Sequence, residues 1–228
     1  IRRPPRSTRK ESSAASDVYK RQTLNERKIM SKNISPLFLT RGVPGTHDTK
    51  MLLDCIKKLK NVKFKKLIIP RFNKATDDRV SKKNWLKITK KPHIVILEGW
   101  CVGVEQQKNK DLLIAVNELE KYHDKEKNWR NRVNQELKKD YKKIFKLINK
   151  IIFLKVPSFK YVFKWRLLQE KKLRVLSKGK KTMTDKQIKK FNMFHERLTK
   201  HMLKTLTNKA DSVIQIDTKH RLKSIKFN

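Results

Sequence analysis

The sequence predicts an α/β fold from two observations: short apolar runs bounded by turn residues, and helical segments with one apolar face between them. The runs are 67–69 (LII), 94–100 (IVILEGW) and 151–156 (IIFLKV), each in the length range of a buried strand rather than a helix. Strand, loop, helix, strand is the βαβ rhythm of a parallel sheet.

Residues 1–21 differ from the rest. They hold five arginines, two prolines and four serines with no helical or strand period. This head is expected to be disordered or non-native, resembling translated vector sequence, and is set aside. The body, 22–228, then reads as one domain whose native sequence is expected to begin near Gln22 or Thr23.

A short helix is expected over 24–32, ahead of Pro36. The segment RGVPGTHD, 41–48, is dense in turn residues, and Thr46 or Asp48 is placed to cap the next helix. That helix carries Met51, Leu52, Cys55, Ile56 and Leu59 at helical spacing. The second strand, 67–69, runs into PRFNK at 70–74, and a polar excursion over 75–84 leads through Trp85 to IVILEGW. Four aliphatic residues between Pro92 and Gly99 predict a strand buried on both faces. Glu98 ends it. In open α/β folds ligands bind outside the carboxyl ends of strands, so an acid there can serve a metal or a reacting group, or simply end the strand at the surface.

Residues 112–122 are expected to be helical. Trp129, Val133, Leu137, Tyr141 and Phe145 recur every fourth residue, with Ile148 continuing the apolar face. After the buried strand at 151–156, stopped by Pro157, a helix over 159–176 places Arg166, Glu170 and Arg174 four apart on one charged face. Residues 177–181 break it. Thr184 opens a last helix with Phe191, Phe194, Leu198 and Met202 on its core side, and 212–216 with 222–227 predict a terminal hairpin around 217–220.

Composition narrows the function classes. At 228 residues and 37% hydrophobic content the chain can build a sizeable core. No apolar run approaches transmembrane length and no signal peptide is legible, so no membrane partner and a cytoplasmic location are expected. Cys55 and Cys101 lack CxxC spacing and are expected to be reduced and buried; the six histidines are scattered, without zinc-ligand spacing. A formal charge of +39 invites a nucleic-acid reading. Lysine is spread over nearly every segment, however, with no arginine and aromatic stripe, so no specific nucleic-acid partner is expected.

The ordered motifs LNERKIMSKNISPLF, RGVPGTHDTKMLL, IPRFNKATDDR, IVILEGWCVGV, VNELEKY, VFKWRLLQE and MTDKQI resemble those of the D-glycerate 3-kinase family, relatives of phosphoribulokinase, uridine kinase and pantothenate kinase. The resemblance covers the chain from Thr23 onward. It implies a P-loop NTPase-like three-layer α/β/α fold with a mostly parallel sheet and a helical lid at about 160–190. It also implies ATP-dependent transfer of the γ-phosphoryl group to a hydroxyl of D-glycerate or a similar hydroxy acid, with Mg²⁺. On this pattern Glu98 is the strand-end acid that holds Mg²⁺, directly or through water, or orients the nucleophile. Arg41 would pair with a substrate carboxylate. Gly42 and Gly45 would let the backbone approach the substrate, with Thr46 in the same loop. His47 and Asp48 would bond its hydroxyls, Asp48 also as a candidate catalytic acid. Lys74 and Arg79 would clamp phosphate or carboxylate, and Arg166 and Arg174 would close on the ATP phosphates.

Two departures qualify this. Asn73 stands where relatives carry Asp, and 178–187 (KGKKTMTDKQ) is longer and more basic than the family's lid loop. A third is larger: no GxxxxGK[ST] occurs in the sequence. In the family that loop precedes LNERKIM, so the fold is expected to lack its first strand and P-loop and the polypeptide to be inactive or nearly so. Other readings are a P-loop kinase for a nucleoside or a pantothenate-like alcohol, and a basic nucleic-acid-associated protein.

Overall fold

A computed structural model describes residues 23–73, 78–176 and 182–228, together with the backbone of 14–15. In chain order its regular elements are β1 (Ala14–Ala15), α1 (Leu24–Asn33), α2 (Thr49–Lys60), β2 (Leu67–Ile69), β3 (Phe72–Asn73), β4 (Asp78–Arg79), β5 (Leu86–Ile88), β6 (Leu97–Glu98), α3 (Glu118–His123), α4 (Asn128–Glu136), α5 (Lys142–Phe145), β7 (Ile152–Lys155), α6 (Phe159–Leu176), α7 (Asp185–Lys209), β8 (Ser212–Ile216) and β9 (Leu222–Phe227).

Local chemistry explains most boundaries. Thr23 and Glu26 form a capping box that starts α1, and Thr184 with Gln187 does the same for α7. Asp48 caps α2 by accepting from the Met51 N–H at 3.0 Å. Between α4 and α5 the chain widens into one π turn, Leu137–Tyr141. In an α-helix a four-residue step overshoots a full circle by about 40°. The wider turn offsets that drift, and Trp129, Val133, Leu137 and Tyr141 all stay buried.

The fold is α/β, but the described strands make four small sheets rather than one mostly parallel sheet. β1 pairs with β6 in parallel, β2 with β5 and β3 with β4 antiparallel. The fourth sheet runs β7-β8-β9, parallel across the first pair and antiparallel across the second, which is the expected terminal hairpin.

Two apolar clusters hold these pieces. The larger joins α1, the 34–43 segment, Cys101, Val104, α3, α4 and α7, with Phe38 and Val43 fully enclosed. The smaller packs the apolar face of α2 against Leu67, Ile69, Ile88 and Ile144. Cys55 and Cys101 are buried thiols in separate clusters.

Two expectations are corrected. IVILEGW is not buried on both faces. Val95 and Leu97 pack onto the smaller cluster, whereas Ile94 and Ile96 alternate to the other side and are 74% and 59% exposed. β7 repeats this, with Phe153 against the larger cluster and Ile152 and Leu154 exposed. Residues 112–122 are not one helix either: a 3₁₀ turn, Asn109–Leu112, is followed by irregular chain until Asn117 caps α3. Side chains have claimed the carbonyls a helix would use. Arg197 donates to Asp111 O and Ile114 O, and Arg130 to Leu112 O.

Candidate active site

The RGVPGTHD loop folds around its own backbone. Gly42 and Gly45 have φ of +103° and +96°, a region that favours glycine. A Cβ at Gly45 would sit 3.2 Å from Phe38 and 3.3 Å from Glu136. Thr46 is fully buried; its hydroxyl donates to Val43 O at 2.7 Å and accepts from Gly42 N–H at 2.9 Å. Thr46 therefore builds the turn from inside.

The loop's end is held from three directions. The His47 ring meets Tyr141 edge to face, with Nδ1 hydrogen-bonded to the phenol oxygen. Besides capping α2 through one carboxylate oxygen, Asp48 binds Arg79 Nη2 through the other at 2.7 Å. Thr49 donates to Asp140 of the π turn at 3.1 Å. At the front of the loop, the Arg41 guanidinium lies 5.7 Å over the Phe72 ring.

Glu98 ends β6 exposed, and two residues later Trp100 turns back to the loop. Its indole N–H donates to Gly42 O at 2.6 Å. The two motifs, RGVPGTHD and LEGW, are thus joined by a direct bond. Trp100 also meets His195 edge to face at 4.7 Å, His195 packs on Phe191 at 4.7 Å, and the Arg166 guanidinium lies 5.8 Å over Phe191. A chain of ring contacts therefore runs from the loop to α6.

On α6 the Arg, Glu, Arg series is not a simple solvent face. Glu170 is buried, accepts from Met183 N–H at 2.8 Å and faces Arg166 Nη2 at 3.2 Å. Arg166 also donates to Gln169 at 2.8 Å. Arg174 donates to Met183 O at 2.5 Å and to Asp185 at 2.7 Å. Arg174 thus braces α6 against the start of α7, and Arg166 reaches α7 by lying over Phe191.

Of the residues singled out by sequence, the structure gathers Arg41, Gly45, Thr46, His47, Asp48 and Arg79 around one loop and links Arg166 to it through Phe191, His195 and Trp100, while Glu98 lies exposed two residues before Trp100. Arg174 belongs to the α6–α7 brace, without a contact to the loop among those described. Lys74 lies outside the described residues. Among the described residues no group of three His, Cys, Asp or Glu converges as a metal site. Sequence reasoning missed Trp100 as a loop anchor, and it missed His195 and Tyr141. Tyr141 was legible only as one more member of an apolar series; His195 had the weak signal of following Phe191 by one helical turn.

No family model matches the chain. It is 29% identical over 188 residues to an uncharacterized kinase, mug58, of Schizosaccharomyces pombe, covering 77% of this chain and 64% of that protein. It is 26% identical over 195 residues to the chloroplastic D-glycerate 3-kinase of Arabidopsis thaliana, covering 82% of this chain and 40% of that protein. The chain therefore spans less than two thirds of the length of these curated relatives. In fold it is similar to the D-glycerate 3-kinase from Cryptococcus neoformans var. grubii, with a TM-score of 0.74 at 21% identity over 95% of this chain and 79% of that one. It is also similar to the YGR205w protein, with a TM-score of 0.69 at 22% identity over 94% and 76%. The two sequence relatives are thus kinases by name, one of them a D-glycerate 3-kinase, and the two solved structures share this fold.

Proposed function

Starting from that kinship, we propose that the chain carries the acceptor half of an ATP-dependent kinase that phosphorylates a hydroxyl of D-glycerate or a similar small hydroxy acid. The observation that carries this reading is the bond between Trp100 and Gly42 O, which joins the RGVPGTHD loop to the LEGW segment at the strand end. Phosphoryl transfer depends on positioning and charge neutralisation, so these residues need only hold and orient the acceptor. In the proposed roles Arg41 pairs with the substrate carboxylate. The Gly42 to His47 loop would offer backbone and imidazole hydrogen bonds to the hydroxyls, and Glu98 would orient the nucleophilic oxygen. Arg79, oriented by Asp48, supplies a second cation beside the loop, and Lys74 is a further candidate clamp. Asp48 has both oxygens engaged, so we assign it to orienting Arg79 and starting α2 rather than to proton abstraction.

The nucleotide side is a different case. Transfer would draw on ATP with Mg²⁺. The 228 residues contain no GxxxxGK[ST], the loop that cradles nucleotide phosphates, so the proposed fit is to the acceptor and not to the nucleotide. We therefore propose that this polypeptide by itself binds acceptor with little or no turnover. Arg166 and Arg174 would reach phosphates only by leaving their partners on Glu170, Gln169 and Asp185. The test is ADP release and acceptor binding across D-glycerate, L-glycerate, a nucleoside and pantothenate. Selective binding of D-glycerate supports the reading. Preference for a nucleoside or pantothenate would assign another acceptor, and tight duplex binding that survives physiological salt would replace the kinase reading altogether.

A further inference from the structure

The acceptor loop rests on a group that none of its motifs contains. Tyr141 is buried at the end of the π turn, where π geometry often marks a functional position. Its phenol oxygen bonds His47 Nδ1, and His47 closes the PGTH stretch. Burial pushes the phenol well above its ordinary range, so the group keeps its proton. A hydrogen on Nδ1 would point at the phenol oxygen and leave the phenol's own hydrogen unspent in a buried place. The consistent arrangement has Tyr141 O–H donating to Nδ1, which puts the proton of neutral His47 on Nε2.

We propose that Tyr141 is a positioning residue for the acceptor site: it holds His47, by ring contact and hydrogen bond, in the Nε2–H tautomer, as a hydrogen-bond donor at the end of the loop. This rests on the acceptor reading above for its consequence, though not for its geometry. Sequence separation hides the pair, since Tyr141 lies 94 positions after His47.

Nitrogen-15 NMR of the histidine rings tests it, with His47→Gln used to assign the His47 signals. In the wild-type chain above the imidazole pKa, His47 should show an unprotonated Nδ1 and a protonated Nε2. Tyr141→Phe keeps the ring packing and removes the hydroxyl. It should mix the tautomers and weaken D-glycerate binding by about tenfold, the loss expected for one buried hydrogen bond at a binding group. A protonated Nδ1 in the wild type overturns the proposal, whether or not the variant folds. So does a folded Tyr141→Phe with unchanged tautomer and affinity. Wild-type chain with the expected tautomer but no affinity for D-glycerate would instead overturn the acceptor reading while leaving the Tyr141 to His47 assignment standing.

Discussion

Replacing Glu120 by Gln should unfold the protein more readily than any single change on its surface. Glu120 sits in α3 with no measurable side-chain exposure, and Arg197 of α7 grips it with two bonds, Nε to Oε1 at 2.7 Å and Nη2 to Oε2 at 2.6 Å. The same carboxylate accepts from Val116 N–H at 3.0 Å, while Arg197 reaches Asp111 O at 2.7 Å and Ile114 O at 2.6 Å. An amide can accept at only one of its two heavy atoms, so one guanidinium N–H would face another donor. Breaking a buried pair costs about 3–5 kcal/mol, and because Arg197 keeps two carbonyls the lower end, about 3 kcal/mol, applies. With a urea slope of roughly 2–3 kcal/mol per molar for a chain of this size, the midpoint should fall by roughly 1–1.5 M. Replacing both partners, Glu120→Leu with Arg197→Met, would often restore stability in a buried pair. Here it should not, because the 111–116 segment would lose partners for two carbonyls and one N–H, at about 1 kcal/mol or more each. Circular dichroism during urea unfolding reads both effects. A Glu120→Gln midpoint within about 0.3 M of wild type, or full recovery in the double variant, would refute the view that this pair organises the loop ahead of α3.

Three further outcomes are expected. Trp100→Phe keeps an aromatic ring beside His195 but removes the donor to Gly42 O, so it should cost about 1 kcal/mol of stability and weaken D-glycerate binding several-fold; calorimetry showing neither would remove the energetic link between the two motifs. Gly45→Ala meets a positive φ together with Phe38 and Glu136 at close range, and should lower the urea midpoint by an amount worth about 1–3 kcal/mol. Burial holds the His201 imidazole below its ordinary value of 6.5. The unfolded chain therefore binds a proton in a range where the folded chain does not, so stability is complete above about pH 6.5 and is lost as pH falls through the folded-state value. Comparing stability between about pH 7 and pH 5, His201→Gln should show a flatter acid limb than wild type; parallel curves would count against this.

Local signals carried most of the helices. The 159–176 helix and the terminal hairpin stand where the residue pattern puts them, and Thr184 opens α7 as its side chain suggests. What was not legible depends on distant partners. Which face of IVILEGW is covered is decided by α2 and its cluster, not by the run itself, and an all-aliphatic stretch carries no alternation to read. Residues 113–117 have helix-forming neighbours, yet their backbone follows Arg197 and Arg130, 18 to 86 residues away from the carbonyls they bind. The same holds for the site. RGVPGTHD marks its own loop because glycine, proline and an N-cap acid are local demands. Trp100 and Tyr141 support that loop across 58 and 94 positions; Trp100 stood in a marked motif without any sign of its partner, and nothing beside Tyr141 distinguishes it from a core aromatic.

The most direct test of the acceptor assignment is calorimetric titration of D-glycerate and L-glycerate into this chain and into its Arg41→Ala variant. The expected result is saturable binding of the D enantiomer, weaker binding of the L enantiomer, and loss of D-glycerate binding by about tenfold or more without Arg41. Equal binding of the two enantiomers, or no binding by a folded wild-type chain, would contradict it.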